Sequence, residues 1–275
     1  NATAAGTPVL DADFRDNPTT LGDTDTLAAA TGQTITINGG ATAYAARVKA
    51  PKAEAGYLHL PGTAGNYASV PDPLGALGDF TLQVDGLDAG TVRPGGDVAL
   101  MGQYTSVADR AFFLRVLANG SIMLIYYLSS DSASAAQSIT STTIPADSVG
   151  VRLMRVGTAW TLTVDTGIGY VAHDSGTISS TTLFNSTSDI TIGSWDGGAS
   201  NLLLGTISRA QIWDNGTAAG TAVLDVDFDR AKANATSFAA TTGQTVTIHQ
   251  STLTGDRSKI VKSSEIFYDG VADEF

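Results

Sequence analysis

Strand-length alternation, broken at short intervals by Gly, Asn and Asp, is the feature that most constrains this 275-residue chain. An apolar residue at every second position gives a strand one buried and one exposed face, whereas a helix needs a period near 3.6. In DFTLQVDGL, Phe80, Leu82 and Val84 share a face. In AFFLRVLANGSIMLIYYL, two apolar runs flank Asn119-Gly120, a pair suited to the positive φ of a two-residue hairpin turn. VGVRLMRVGTAWTLTVD predicts a second hairpin turning near Gly157, with Trp160, Leu162 and Val164 on one face. DITIGSWDGGASNLLLGTISRAQIW supplies two or three further strands around a Gly-rich loop. Segments 15–30 and 129–149 are rich in Ala, Ser, Thr and Asp and read as loops, with room for a helical turn in each. Helical periodicity is nearly absent. Many short strands at this spacing predict an all-β antiparallel sandwich. Its expected core is Phe80, Leu82, Phe112, Leu114, Leu124, Trp160, Leu162, Ile192, Ile207 and Ile212.

The chain also repeats itself. Residues 9–14 read VLDADF and 223–228 read VLDVDF, while 31–37 read TGQTITI and 242–248 read TGQTVTI, at offsets of 214 and 211. A weaker match sets YLHLPG at 57–62 against EIFYDG at 265–270. Self-similarity at a long, nearly fixed offset marks a modular unit. The expected organisation is an N-terminal strand segment 1–50, a sandwich 51–222 and a partial repeat 223–275. The second copy then reads as the opening strands of a further module; the other reading makes both copies the first and last strands of one sandwich. Its apolar residues, Val226, Phe228 and Ile248 among them, cannot stay on an open strand edge without inviting association. They can close the same sandwich or add to a neighbouring subunit, and the repeat favours the neighbour.

Composition excludes several function classes. The net charge is −12, and no short window is rich in Lys or Arg, which argues against nucleic acid, because phosphate binding rests on those side chains. No apolar run reaches the length of a membrane span, so no membrane insertion is expected. With no Cys, disulfides and thiolate metal sites are excluded. Glu occurs only at 54, 265 and 274; the other 24 acidic residues are Asp, which suits turns and loop-borne calcium. Retaining glycan hydrolysis needs two carboxylates about 5–5.5 Å apart. No Glu lies between 55 and 264, so a paired-Glu site is excluded and an Asp-based glycan depolymerase is the remaining enzymatic alternative. There is no G-x-S-x-G, and His59, His173 and His249 sit in unrelated settings, which speaks against a Ser–His–Asp hydrolase and against zinc. The chain reads as non-enzymatic.

Between Tyr57 and Trp213, the ordered set YLHLPGTAGNYASVPD, GDFTLQVDGL, RAFFLRVLANGSIMLI, VRLMRVGTAWTLTVD and ITIGSWDGGASNLLLGTISRAQIWDNG resembles the laminin-G-like, concanavalin A-like lectin jelly roll. The flanking VLD-x-DF and TGQT-x-TI elements are similar to those around such modules in bacteriophage tail and other virion proteins. The resemblance implies a calcium site at the sandwich rim, carried by Asp109 and Asn201, with Asp196 as an alternative; the competing reading is that all three are ordinary turn residues. Glycan binding needs an exposed aromatic face beside polar groups. Trp195 in SWDGG is best placed for it, with Tyr104 and Arg110 bordering the facing loop, whereas Trp160 and Trp213 read as core. The functional expectation is a structural or adhesion module of a virion or cell surface. It would assemble as a homo-oligomer or with other surface proteins, contact host glycans and require no cofactor. A calcium-dependent carbohydrate-binding module is the alternative.

Overall fold

The computed structural model describes residues 26–28, 34–36, 55–75, 77–106, 109–128, 136–178, 183–252 and 257–263. The chain divides into two units, residues 1–54 with 264–275, and residues 55–263. In the first, β1 (Thr26–Ala28) and β2 (Thr34–Thr36) pair antiparallel, with Leu27 opposite Ile35. The rest of the expected N-terminal strand segment lies outside the described residues.

The second unit runs β3 (Ala55–Pro61), β4 (Tyr67–Val70), β5 (Phe80–Asp85), a one-turn helix α1 (Ala89–Val92), β6 (Val98–Ser106), β7 (Asp109–Val116), β8 (Ser121–Tyr127) and β9 (Ala136–Thr143). It continues with β10 (Gly150–Val156), β11 (Ala159–Asp165), β12 (Tyr170–Thr177), β13 (Ile190–Ile192), β14 (Leu204–Ile207) and β15 (Arg209–Trp213). The last strands are β16 (Leu224–Asp227), β17 (Ser237–Ala239), β18 (Thr245–His249) and β19 (Lys259–Ser263). A six-stranded sheet has the order β12-β11-β10-β5-β15-β16, and an eight-stranded sheet the order β17-β18-β4-β13-β6-β7-β8-β9. A three-stranded sheet, β14-β3-β19, adds Leu58, Leu60, Ile207 and Ile260 to the core. Every strand pair is antiparallel, and the chain passes repeatedly from one main sheet to the other, the habit of a jelly-roll sandwich.

Alternation sets the core as predicted. Phe80, Leu82 and Val84 of the six-stranded sheet, and Phe112, Leu114 and Leu124 of the eight-stranded sheet, belong to one buried cluster. All ten residues expected in the core are buried. Trp213 is buried too, but it alternates out of the cluster, and its indole Nε1 donates to Gly220 O at 3.4 Å.

Three local expectations change. The β7–β8 hairpin forms, but its turn holds three residues: Leu117 N donates to Ser121 O at 2.8 Å, and Gly120 alone takes a positive φ, 80°. Both segments expected as loops contain a strand: 15–30 holds β1, and 129–149 holds β9, whose only inward apolar residue is Ile139, too weak a signal for alternation to reveal.

The third change concerns the C-terminal repeat. β16 pairs β15 with Leu224 opposite Ile212, β18 pairs β4 with Ile248 opposite Ala68, and β19 pairs β3 with Ile260 opposite Leu58. Through Ser263, therefore, the segment folds back and closes the sandwich it follows, instead of adding to a neighbour. VLDVDF and TGQTVTI are closing strands, not the opening strands of another module. Residues 264–275, which carry the weaker match to YLHLPG, lie outside the described residues. Phe228, in a single 3-10 turn after β16, is fully buried and meets Phe238 edge to face at 5.7 Å.

Truncating a buried aromatic typically costs about 3–5 kcal/mol. Trp160→Ala, in the middle of the sandwich, and Phe228→Ala, in the closing segment, are both expected to destabilise by that order in denaturant titrations. An unchanged midpoint for Phe228→Ala would mean that the closing segment does not pack as described.

Candidate functional site

The alternation that sends Ala68, Val70, Ile190, Ile192 and Ile248 into the core sends Tyr67, Ser69, Thr191 and His249 to the opposite face of the eight-stranded sheet. Register brings these together. His249 lies opposite Tyr67, and Ser69 lies opposite Thr191. A cleft of about 490 Å³ opens over them, flanked by Thr187, Ser188 and Asp189 of the loop before β13, by Asp109 at the start of β7, and by Gly197.

Tyr67 and His249 stack face to face, with ring centroids 4.1 Å apart and planes 4° apart. Ser69 Oγ and His249 Nε2 are hydrogen-bonded at 2.8 Å. The loop after β13 is pinned to the sheet because Thr191 Oγ1 donates to Ser194 O at 2.9 Å. Gly198, at φ 94°, has to be glycine: a Cβ there would come within 2.7 Å of the Tyr67 ring.

Burial pushes the His249 imidazole below its ordinary range, and Asp189 only partly opposes this, so the ring is neutral at pH 7. Burial and then Asp189 push the Tyr67 phenol up. Burial raises the Asp109 carboxyl, but hydrogen bonds from Ser186, Thr187 and Ser188 outweigh it and hold the group below its ordinary value. Thr187 donates to the Asp109 carboxylate through both N and Oγ1 at 2.9 Å. The cleft thus offers a stacked aromatic pair, hydroxyls and a charged carboxylate. Ser69 and His249 have the spacing of a nucleophile and base, but among the described residues no carboxylate is hydrogen-bonded to the other ring nitrogen.

Beside the cleft on the same sheet is an aromatic cluster. The β6–β7 register slips, with Gln103 opposite Phe112 but Tyr104 opposite Arg110. Ala111 is the extra residue, and this bulge turns Arg110 to the side of Phe113. The Arg110 guanidinium lies 4.2 Å from the centroid of the Tyr127 ring, and Tyr104 lies 6.4 Å from Tyr127, ring to ring. Trp195 stacks on Phe113 at 4.6 Å and presents an edge to Tyr104 at 5.2 Å. The structure therefore brings Trp195, Tyr104 and Arg110 together, but none of the three lines the cleft. Trp195 is half-buried, not an open face, because Phe113 covers one side of its ring. Its Nε1 and the Arg110 Nε are buried without a hydrogen-bond partner among the described residues.

The three oxygen ligands expected for calcium are each hydrogen-bonded within the protein, Asp196 inside its own turn and Asp109 and Asn201 to residues distant in sequence. Besides Asp109, Asp196 accepts from Ser200 N and Oγ at 2.8 Å, and Asn201, at φ 48°, donates from Nδ2 to Asp97 O at 3.1 Å. No three His, Cys, Asp or Glu side chains among the described residues are grouped as a metal site needs. The residues that sequence reasoning missed are Tyr67, Ser69 and His249. Alternation within TVTIH places His249 outward, but its partners lie some 180 residues earlier, and register alone joins them.

No family model matches the chain, and no curated protein matches it. Among solved structures it is similar to a heptameric SAP-like pentraxin from Limulus polyphemus, at 14% identity and a TM-score of 0.45, covering 72% of this chain and 96% of that one. It is similar to the CBM40 of the Ruminococcus gnavus IT-sialidase bound to α2,3-sialyllactose, at 13% identity and a TM-score of 0.41, covering 56% and 90%. It is also similar to domains LG4-5 of the mouse laminin α1 chain, at 14% identity and a TM-score of 0.42, covering 71% of this chain and 46% of that one.

The His249 shift has a definite sign. Its folded pKa lies below the unfolded value, so between the two the unfolded state binds more protons, and stability falls as pH is lowered from about 6.5. Nuclear magnetic resonance titration of the His249 ring is expected to give a midpoint below about 6.5, and His249→Gln to flatten that part of the pH–stability curve. A midpoint above the ordinary value would contradict the packing of the ring against Tyr67.

Proposed function

We propose that the chain is a non-catalytic, glycan-binding adhesion module of an extracellular surface, a virion being the setting that the resemblance of the VLD-x-DF and TGQT-x-TI elements implies. The cleft carries this reading. A flat ring pair, Tyr67 on His249, stands beside the hydroxyls of Ser69, Thr187, Ser188 and Thr191, a mixture that suits the apolar face and the hydroxyl rim of a sugar ring. The Trp195 loop borders the cleft through Gly197 and packs against the Tyr67 ring through Gly198. No helix among the described residues is long and apolar enough to cross a membrane.

Two observations favour binding over hydrolysis. A glycosidase acid needs a carboxyl whose pKa is raised, and Asp109 is held in the opposite direction. His249 bonds Ser69, but among the described residues no carboxylate orients it from its far side, as in a hydrolase base. Binding is read as independent of calcium, because both carboxylates accept from neighbouring donors, Asp109 from Thr187 and Asp196 from Ser200, while Asn201 donates to Asp97 O.

A glycan array followed by calorimetry tests the proposal. One class of oligosaccharide is expected to bind, with Tyr67→Ala weakening it about tenfold or more while the melting temperature stays near that of the parent. A chelator is expected to leave the affinity unchanged. Release of reducing ends from any bound polysaccharide, or no binding across the array, would overturn the reading.

A further inference from the structure

We propose, resting on the glycan-binding reading of the cleft, that the sugar it takes carries a free ammonium group, as an unacetylated amino sugar does, seated against the carboxylates of Asp109 and Asp189. Two independent features of the cleft carry this: how its hydrogen bonds are spent, and its charge.

A Ser or Thr hydroxyl has one proton to donate and keeps lone pairs with which to accept. Three of the four Ser and Thr hydroxyls lining the cleft have spent that proton on the protein. Thr187 Oγ1 donates to the Asp109 carboxylate at 2.9 Å, Ser188 Oγ to Asp109 O at 3.0 Å, and Thr191 Oγ1 to Ser194 O at 2.9 Å. Backbone donors at the rim are spent as well: Thr187 N on Asp109 Oδ1 at 2.9 Å, Ser188 N on Ser186 Oγ at 3.0 Å, and Gly197 N on Trp195 O at 3.0 Å. What these hydroxyls still offer is lone pairs, and the two carboxylates can only accept. The side-chain donors that remain are the Tyr67 hydroxyl and one proton of the Ser69–His249 pair, whose other proton lies in the bond between them. The wall of the cleft is therefore rich in acceptors and poor in donors.

Its charge is negative and has no internal counter-ion. Among the described residues no Lys or Arg lines the cleft, and none forms an ion pair with Asp72, Asp109 or Asp189. Burial keeps the His249 ring neutral, so the ring stack adds no positive charge. Burial is the largest cause raising the nearby Asp72 carboxyl; the charges of Asp109 and Asp189 add to it, against hydrogen bonds from Leu74 N and Gln103. Carboxylates that repel one another with no cation among them favour a positive ligand.

An ammonium group meets both conditions, with three donors, no acceptor and one positive charge. An N-acetyl group in its place brings a carbonyl that needs a donor and removes the charge. A uronic acid brings a charge of the wrong sign. A basic peptide supplies the cation, but its backbone carbonyls need donors that this wall lacks.

Calorimetry on the full chain near neutral pH, with a glucosamine oligomer and its fully N-acetylated counterpart of equal length, tests this. The glucosamine oligomer is expected to bind about tenfold tighter or more, and less tightly as salt is raised. Asp189→Asn, at an exposed position, is expected to remove most of that preference while the melting temperature stays near the parent's. Asp147→Asn, an equal change of charge at an exposed residue outside the cleft, should leave the preference intact. Equal or tighter binding of the acetylated oligomer, abolished by Tyr67→Ala, overturns the ammonium site and leaves the glycan-binding reading standing; failure of every glycan to bind ends both. An Asp189→Asn effect no larger than that of Asp147→Asn overturns the proposal. So does an oligolysine that binds as tightly as the glucosamine oligomer, because it would mark a site for any cation.

Discussion

One segment, residues 224–249, lays a strand on each of the two main sheets, and the rest of the sandwich depends on it. β16 extends the six-stranded sheet beyond β15, and β18 extends the eight-stranded sheet beyond β4. Between them Phe228 fills the core, so both sheets and the space between are finished by one stretch of chain. The Asp225–Arg209 pair fixes the register of this segment. Asp225 is only 6% exposed, and its hydrogen bonds and charge push the Arg209 guanidinium further up. Removing one partner of a buried ion pair leaves the other uncompensated, at about 3–5 kcal/mol. The half-exposed Arg209 side chain places this pair below that range. The same segment carries His249, so closing the fold and forming the cleft are one event.

Much of the sandwich was legible in the sequence because its strands alternate cleanly. β5, β7, β8 and β11 each carry three or more apolar residues at period two. Where that signal thins, the reading fails for a physical reason. β9 places only Ile139 and Ser141 inward, and Trp213 is buried by a loop on the outer face instead of by the core. The repeat was visible, but not its meaning. A strand's sequence records which face is apolar, not which strand it will lie beside, and β16 and β18 find partners that sequence spacing does not indicate.

The site was legible only in part. Trp195, Tyr104 and Arg110 do come together, but the bulge at Ala111 and the stacking on Phe113 make them a covered platform, where sequence suggested an open face. The abundance of Asp, which suits turns as well as loop-borne calcium, has a local explanation in turns. Asp72, Asp88, Asp165 and Asp227 each accept from a backbone N–H one to four residues on, as Asp196 does. A loop-rich sandwich needs many such acceptors, and a short carboxylate supplies them without a metal.

Native-state hydrogen exchange tests most directly whether the closing segment is integral to the sandwich. If it is, the amides of β16 and β18 open at the same free energy as those of β5 and β10, in one global unfolding event. Exchange of β16 and β18 at a clearly lower free energy, while β5 and β10 stay protected, would show a strap that peels from a sandwich standing without it, and would contradict the account.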